Sequence, residues 1–229
     1  MQYMGGKSRI AKRIAPYLIA DGARCHTYLE PFIGGGSVFA EVSPWFETAI
    51  GSDANQDLIL LWQALAEGWQ PPSTLTHEEW KGLREDEPSA LRSFAGFGCS
   101  FGGKWFAGYA RGKYNYADTA ARGLLRKVAA MHPTPEFQHV SYDAWSPGEG
   151  TLVYCDPPYA NTTTYGAVDG FDSERFWKVA ESWAEAGAMV FVSEYAAPNH
   201  WREVWSAEVK MTVDVKDNRR TAVERLFTP

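Results

Sequence analysis

The stretch TYLEPFIGGGSVFAEV, Thr27 to Val42, decides the fold. TYLE reads as a short strand, the three glycines Gly34 to Gly36 follow in a loop that starts at Phe32, and Ser37 to Val42 opens a helix with Ser37 as candidate N-cap. Strand, glycine turn and helix begin an α/β unit, and the missing side chains let a ligand approach the backbone beyond the carboxyl end of the strand. Working outward, Ala49 to Ser52 is a second short strand closed by Asp53, which stands 19 residues past Gly34. An acid so placed can reach ribose hydroxyls. Leu58, Leu61, Trp62 and Leu65 then repeat with helical period. On the N-terminal side, residues 6 to 20 put Ile10, Ile14, Tyr17 and Leu18 on one helical face, with Pro16 expected to kink or end that helix early. The loop follows neither GxGxxG nor GxxxxGK[ST]. An adenosine-containing ligand without a pyrophosphate fits better, and S-adenosylmethionine is such a ligand.

Between about Gly68 and Gly150 the strand signal nearly vanishes. Pro71-Pro72, a Trp/Glu-rich helical piece, the stretch FAGFGCSFGGKWFAGYARGKYNY and a basic helix from about Asp118 to Met131 replace it. The organisation expected is therefore an N-terminal part, 1–67, and a C-terminal part, 151–229, of one α/β domain, with 68–150 as an inserted, mainly helical subdomain. The α/β pattern resumes with TLVYC, Thr151 to Cys155, a continuous apolar run suited to a strand covered on both faces. A helix at about 174–186, a strand MVFVS (Met189 to Ser193) and extended segments near 209–215 and 224–227 complete the chain.

The TLVYC run ends in Asp156-Pro157-Pro158-Tyr159. The prolines fix φ and carry no N–H, so this turn holds its carbonyls outward as acceptors. An exocyclic amino group in the plane of a nucleobase offers two donors, which the Asp156 carboxylate and the Pro157 carbonyl can accept while the Tyr159 ring stacks on the base. Such stacking is worth roughly 1–3 kcal/mol. Asp156 to Tyr159 are the candidate catalytic residues.

The chain has 229 residues, 45% of them hydrophobic, enough to bury a core without disulfides or metals. Three widely spaced cysteines form neither a disulfide framework nor a zinc pattern, and the five histidines lack ligand spacing, so no metal is expected. No apolar run is long enough to span a membrane and the N-terminus has no signal-peptide pattern, which points to an intracellular, cytoplasmic protein without a membrane partner. The net charge of −6 argues mildly against nucleic-acid binding, but its distribution does not. From Arg92 to Lys127 there are seven basic residues against one acid, Asp118, and Lys7, Arg9, Lys12 and Arg13 add a basic N-terminal helix. Lys104, Arg111, Lys113, Arg122 and Arg126 are the candidate DNA contacts. Phe101, Trp105 and Tyr109 would either wedge where a base leaves the duplex or form the small core of the insertion. Asn161 to Gly166, polar and just after Tyr159, would be a closing loop or a plain connection.

Taken together, YMGGK (Tyr3 to Lys7), EPFIGGGSVF (Glu30 to Phe39), the acid of SDAN (Asp53), DPPY (Asp156 to Tyr159), FVSEY (Phe191 to Tyr195) and the RRTAVERLF tail (Arg219 to Phe227) resemble the Dam-type DNA N6-adenine methyltransferases. In that class the cofactor motif precedes the target-recognition segment and DPPY follows it. The resemblance implies a Rossmann-like S-adenosylmethionine-dependent methyltransferase sheet with a small, mainly helical target-recognition insertion. It also implies methyl transfer to N6 of an adenine flipped out of double-stranded DNA, and so a nucleoid-associated enzyme. By the same resemblance Tyr3 and Lys7 would contact the methionine part of the cofactor, Lys7 pairing its carboxylate. Glu30, Phe32, Gly34, Gly35 and Gly36 would line the cofactor, Asp53 would bind its ribose, and Asp156 would border it. Tyr3 stands where the family often has Trp. Other readings left open are N4-cytosine or RNA adenine methylation and a catalytically silent DNA-binding module; a protein-amide methyltransferase would be expected to carry Asn in place of Asp156. Compactness and the lack of an endonuclease signature suggest a stand-alone methyltransferase of phage or orphan type, with a restriction-modification setting left open beside it.

Overall fold

The computed structural model describes residues 1–112, 114–159, 171–210 and 221–229. Lys113, the Asn161 to Gly166 stretch and Arg219 lie outside the described residues. Seven strands build one sheet: β1 (Thr27–Glu30), β2 (Thr48–Asp53), β3 (Glu136–His139), β4 (Thr151–Cys155), β5 (Met189–Glu194), β6 (Arg202–Lys210) and β7 (Thr221–Thr228). Their order is β3-β2-β1-β4-β5-β7-β6, parallel from β3 to β5, with β7 antiparallel to both of its neighbours. This is the Rossmann-like α/β arrangement expected from the sequence. β1 lies between β2 and β4, Thr27 opposite both Thr48 and Thr151, so the loops leaving these three strands open at the same edge of the sheet.

Alternation along the central strands divides the core between the two faces. Tyr28, Leu152, Tyr154 and Phe191 pack with α1 (Ala11–Asp21), α2 (Ser37–Val42) and α3 (Gln56–Ala66), through Ile14, Leu18, Phe39 and Trp62. Leu29, Val153, Cys155 and Val190 pack on the other face with Phe176, Ala180 and Trp183 of α7 (Ser173–Glu185). The three cysteines are free thiols. Among the described residues no helix is long and apolar enough to cross a membrane.

Several elements depart from their sequence expectations for physical reasons. α1 runs through Pro16 without ending. Proline removes one helix hydrogen bond there, but its ring lies on the exposed side while Ile14, Ala15 and Leu18 are buried opposite. Tyr17, expected on the apolar face, is exposed. Ser37 does not cap α2: Gly36, at φ +60°, takes the N-cap position, and the Ser37 hydroxyl accepts from Lys127 instead. β3 lies inside the 68–150 stretch and pairs with β2, so the sheet takes up the chain again at Glu136.

Before β3 the chain is helical. α4 (His77–Leu83) starts with a Thr76/Glu79 capping box, α5 (Ala90–Ser93) passes into a π-helical turn over Phe94–Gly98, and α6 (Tyr116–Val128) is capped by Asn115. Arg92 ties α5 to α3 through Asp57 at 3.1 Å, and the Trp80 indole donates to Ala95 O at 3.1 Å. A bridge between Ser100 and Tyr109 closes the glycine-rich stretch into a loop.

Candidate functional site

Two loops meet at the carboxyl ends of β1, β2 and β4. In the first, Gly34 adopts φ +42°, its N–H donates to Asp53 Oδ2 at 3.0 Å, and its carbonyl accepts from the Trp62 indole at 3.0 Å. Asn55 N–H occupies the other Asp53 oxygen at 2.9 Å. Burial pushes the Asp53 pKa up to about 6, against the pull of these two N–H groups and of His139. The Tyr3 side chain lies directly on the loop: a Cβ added to Gly34 would come within 2.9 Å of its ring, and one added to Gly35 within 2.9 Å of its Cβ. Here the glycines are required by close approach.

Glu30 at the end of β1 is buried and accepts the Tyr28 hydroxyl at 2.6 Å; burial holds its carboxyl well above the usual range. Lys127, near the end of α6, bonds the Gly35 carbonyl and donates to Ser37 Oγ at 2.9 Å. Desolvation lowers its pKa to about 8, opposed by the Glu30 charge. The insertion's last helix therefore holds the glycine loop directly.

The second loop begins at Asp156. Its Oδ1 stands 2.7 Å from Lys7 Nζ, and the same ammonium lies 4.5 Å over the Tyr159 ring and 3.7 Å from Glu224 Oε2. The Tyr159 hydroxyl donates to that Glu224 oxygen at 2.6 Å, and its ring meets Tyr195 edge-on with centroids 4.6 Å apart. Burial raises the Asp156 pKa, and the neighbouring Lys7 opposes the rise. The two loops share one electrostatic environment, because the Asp53 and Asp156 charges both reinforce the upward shift that burial imposes on Tyr3.

The structure thus brings together Tyr3, Lys7, Glu30, Gly34 to Gly36, Asp53 and the Asp156 to Tyr159 turn. Lys7 pairs with Asp156 and stands near Glu224. Phe32 packs at one side, stacked on Tyr142 at 5.3 Å and edge-on to Phe176. The residue types suit an adenosine-bearing sulfonium: a carboxylate for ribose hydroxyls, an aromatic ring, and a loop whose backbone lacks side chains.

Two participants escaped the sequence reading. Glu224 stands in the C-terminal VERLF stretch, 65 residues from Tyr159, and Lys127 counts in sequence as one more cation of the basic stripe.

Of the basic candidates, Arg111, Arg122 and Arg126 are exposed and Lys104 is half-buried. Arg111 contacts His77 Nδ1 at 3.1 Å, and Arg122 pairs with Asp118 one helical turn away. Arg92, counted in the basic stripe, serves the interior instead. Trp105 packs on Phe97 and Phe106, and Tyr109 on Trp80, so both are interior rings packed against the core on the α1–α3 side of the sheet. Phe101, 65% exposed, stands out with Tyr114, 76% exposed. Among the described residues no cluster of His, Cys, Asp and Glu could hold a metal.

Comparison with known proteins agrees with this geometry. The family model described as D12 class N6 adenine-specific DNA methyltransferase matches residues 3–90, which include Tyr3, Lys7, the glycine loop and Asp53. A DNA adenine methylase of Vibrio cholerae is 27% identical over 96% of this chain and 88% of its own length. The DNA N-6-adenine-methyltransferase of Escherichia phage P1 is 26% identical over 86% of this chain but only 30% of its own. The Type II methyltransferase M.CviBI of Paramecium bursaria Chlorella virus NC1A is 37% identical over 30% of the chain and 25% of its own length. The chain thus spans a quarter to a third of two of these relatives and most of the third. The similarity to the D12 class N6 adenine-specific DNA methyltransferase family thus lies in residues 3–90, the segment that carries the cofactor-side half of the site.

Proposed function

We propose that the protein transfers a methyl group from S-adenosylmethionine to the exocyclic N6 amine of an adenine flipped out of double-stranded DNA. The observation that carries this reading is the placing of the Asp156-Pro157-Pro158-Tyr159 turn beside the Asp53-braced glycine loop, at the ends of adjacent parallel strands. Bound cofactor supplies an electrophilic sulfonium methyl. The chain's residues prepare the other reactant. An adenine N6 lone pair is delocalised into the ring and is weakly nucleophilic while the amine stays planar. Asp156 and the Pro157 carbonyl accept its two hydrogens, fix its direction and favour pyramidalisation, and Tyr159 holds the ring by stacking. Positioning, and anionic acceptors facing a nitrogen that becomes positive, supply most of the acceleration. Asp156 need not be a strong base, because the N–H becomes acidic only as the new bond forms.

Tyr3, Glu30, Phe32, Gly34 to Gly36 and Asp53 form the cofactor side of this site. Segments 1–67 and 151–229, with β3 from the stretch between them, form the catalytic domain, and the helical remainder of 68–150 is the target-recognition insertion. Lys104, Arg111, Arg122 and Arg126 hold phosphates, and Phe101, supported by its exposure, acts where the base leaves the stack. Flipping costs a few kcal/mol, repaid in the pocket by stacking and the two amine bonds.

The test is transfer from labelled S-adenosylmethionine to unmethylated duplex DNA, followed by nucleoside analysis. N6-methyldeoxyadenosine is expected from the wild type, and Asp156→Ala should reduce its rate by about 100-fold or more while still binding cofactor. N4-methyldeoxycytidine, or label in RNA only, would replace the adenine-in-DNA assignment. Cofactor binding without any nucleic-acid labelling would refute methyl transfer to nucleic acid.

A further inference from the structure

One contact in the acceptor turn competes with the chemistry proposed for it. Lys7 Nζ is 2.7 Å from Oδ1 of Asp156, the carboxylate proposed to accept a substrate N–H, and it lies over the Tyr159 ring, the proposed stacking platform, at 4.5 Å. A base that stacks on that ring face, with its amine on the carboxylate, must therefore displace the ammonium. The Lys7 side chain is only 6% exposed, so it has little water to turn to, and an unpaired buried charge is strongly disfavoured. A second anion must receive it.

Glu224 is within reach. Its Oε2 lies 3.7 Å from Lys7 Nζ, its side chain is 15% exposed, and the same oxygen holds the Tyr159 hydroxyl at 2.6 Å. Its position is fixed by β7, which runs between β5 and β6, and by Arg225, whose guanidinium donates to Tyr195 O at 2.6 Å and pairs with Glu203 at 2.9 Å. The geometry points to Glu224 as a positioning residue that takes over the Lys7 ammonium when the substrate amine displaces it from Asp156, while keeping Tyr159 in place as the stacking platform. This rests on the methyl-transfer reading. A neutral amine enters and one ammonium moves between two carboxylates, so the pocket's net charge is unchanged by the exchange.

Glu224→Gln keeps the side-chain length and an acceptor for the Tyr159 hydroxyl and removes the charge. In steady-state methylation of unmethylated duplex DNA it should lower kcat/KM for DNA on the order of tenfold or more, with the cofactor Kd, measured without DNA, within about twofold of wild type. Glu224→Asp should recover part of the loss. Tyr159→Phe, which keeps the ring and loses only the hydroxyl, should fall less than Glu224→Gln. Wild-type kcat/KM in Glu224→Gln would overturn the proposal, as would a matching loss of cofactor affinity or a Tyr159→Phe loss as large as that of Glu224→Gln. If the wild type methylates DNA and Glu224→Gln equals it, only this inference fails; if the wild type methylates no DNA, the methyl-transfer reading fails and takes the inference with it.

Discussion

Asp53 illustrates how one side chain can serve binding at the expense of stability. Its pKa of about 6, against an ordinary 3.8, means that ionising it inside the fold is disfavoured by burial. Its contribution to stability is therefore unfavourable above about pH 6 and fades as the pH falls toward 3.8. Binding in the proposed role has the opposite sign, because only the carboxylate would accept two ribose hydroxyls. Calorimetric titration with S-adenosylmethionine should show affinity steady above pH 7 and falling about tenfold near pH 5, where roughly a tenth of this group is ionised. Asp53→Asn should bind more weakly at neutral pH and lose this dependence. Asp53 and Asp156 are legible in the sequence because each closes a strand at a fixed distance from a local motif. Glu224 and Lys127 are not: they reach the site only through tertiary contacts with Tyr159 and Ser37, 65 and 90 residues away in the chain. A cation that secures the glycine loop looks, in one dimension, like any cation of a basic helix.

Among the elements, β1, α2 and β4 follow the bounds their apolar runs and glycines suggest, because burial on both faces leaves little freedom in where such strands end. α1 and β3 are harder. The continuation of α1 past Pro16 depends on the packing of Ile14 and Leu18, which a local rule about proline does not contain. β3, with the sequence EFQH, has one buried residue and becomes a strand because β2 offers it an edge. α3 carries the clearest mechanical link to the site, since the fully buried Trp62 donates to Gly34 O. Trp62→Phe fills most of the same volume but leaves that carbonyl without its donor. A loss of about 1 kcal/mol follows, which should lower Tm by roughly 2–4 °C in a scanning calorimeter. Cofactor affinity should fall as well, because the loop that loses its restraint is the one proposed to line the cofactor.

Over the whole molecule, a net charge of −6 coexists with a basic stretch from Arg92 to Lys127, in which the exposed arginines Arg111, Arg122 and Arg126 lie. DNA affinity should therefore fall steeply with salt, each neutralised phosphate adding about 0.9 to the slope of log K against log salt. Arg126→Ala should reduce that slope by about 1 in fluorescence-anisotropy titrations and weaken binding alike for all sequences. Arg122, paired with Asp118, should contribute less.

The order of the sheet has one further consequence, for the time at which activity can arise during synthesis. β1 pairs with β4 across more than a hundred residues of intervening chain, and β7, last in sequence, slots between two strands made before it. Such non-local pairings form late, after long loops have closed. A nascent chain that has emerged only as far as Tyr159 already holds the glycine loop and the acceptor turn, yet it lacks the strand that delivers Glu224 to Lys7 and Tyr159. The order of synthesis thus acts as a built-in delay, keeping a half-made chain from having a finished pocket.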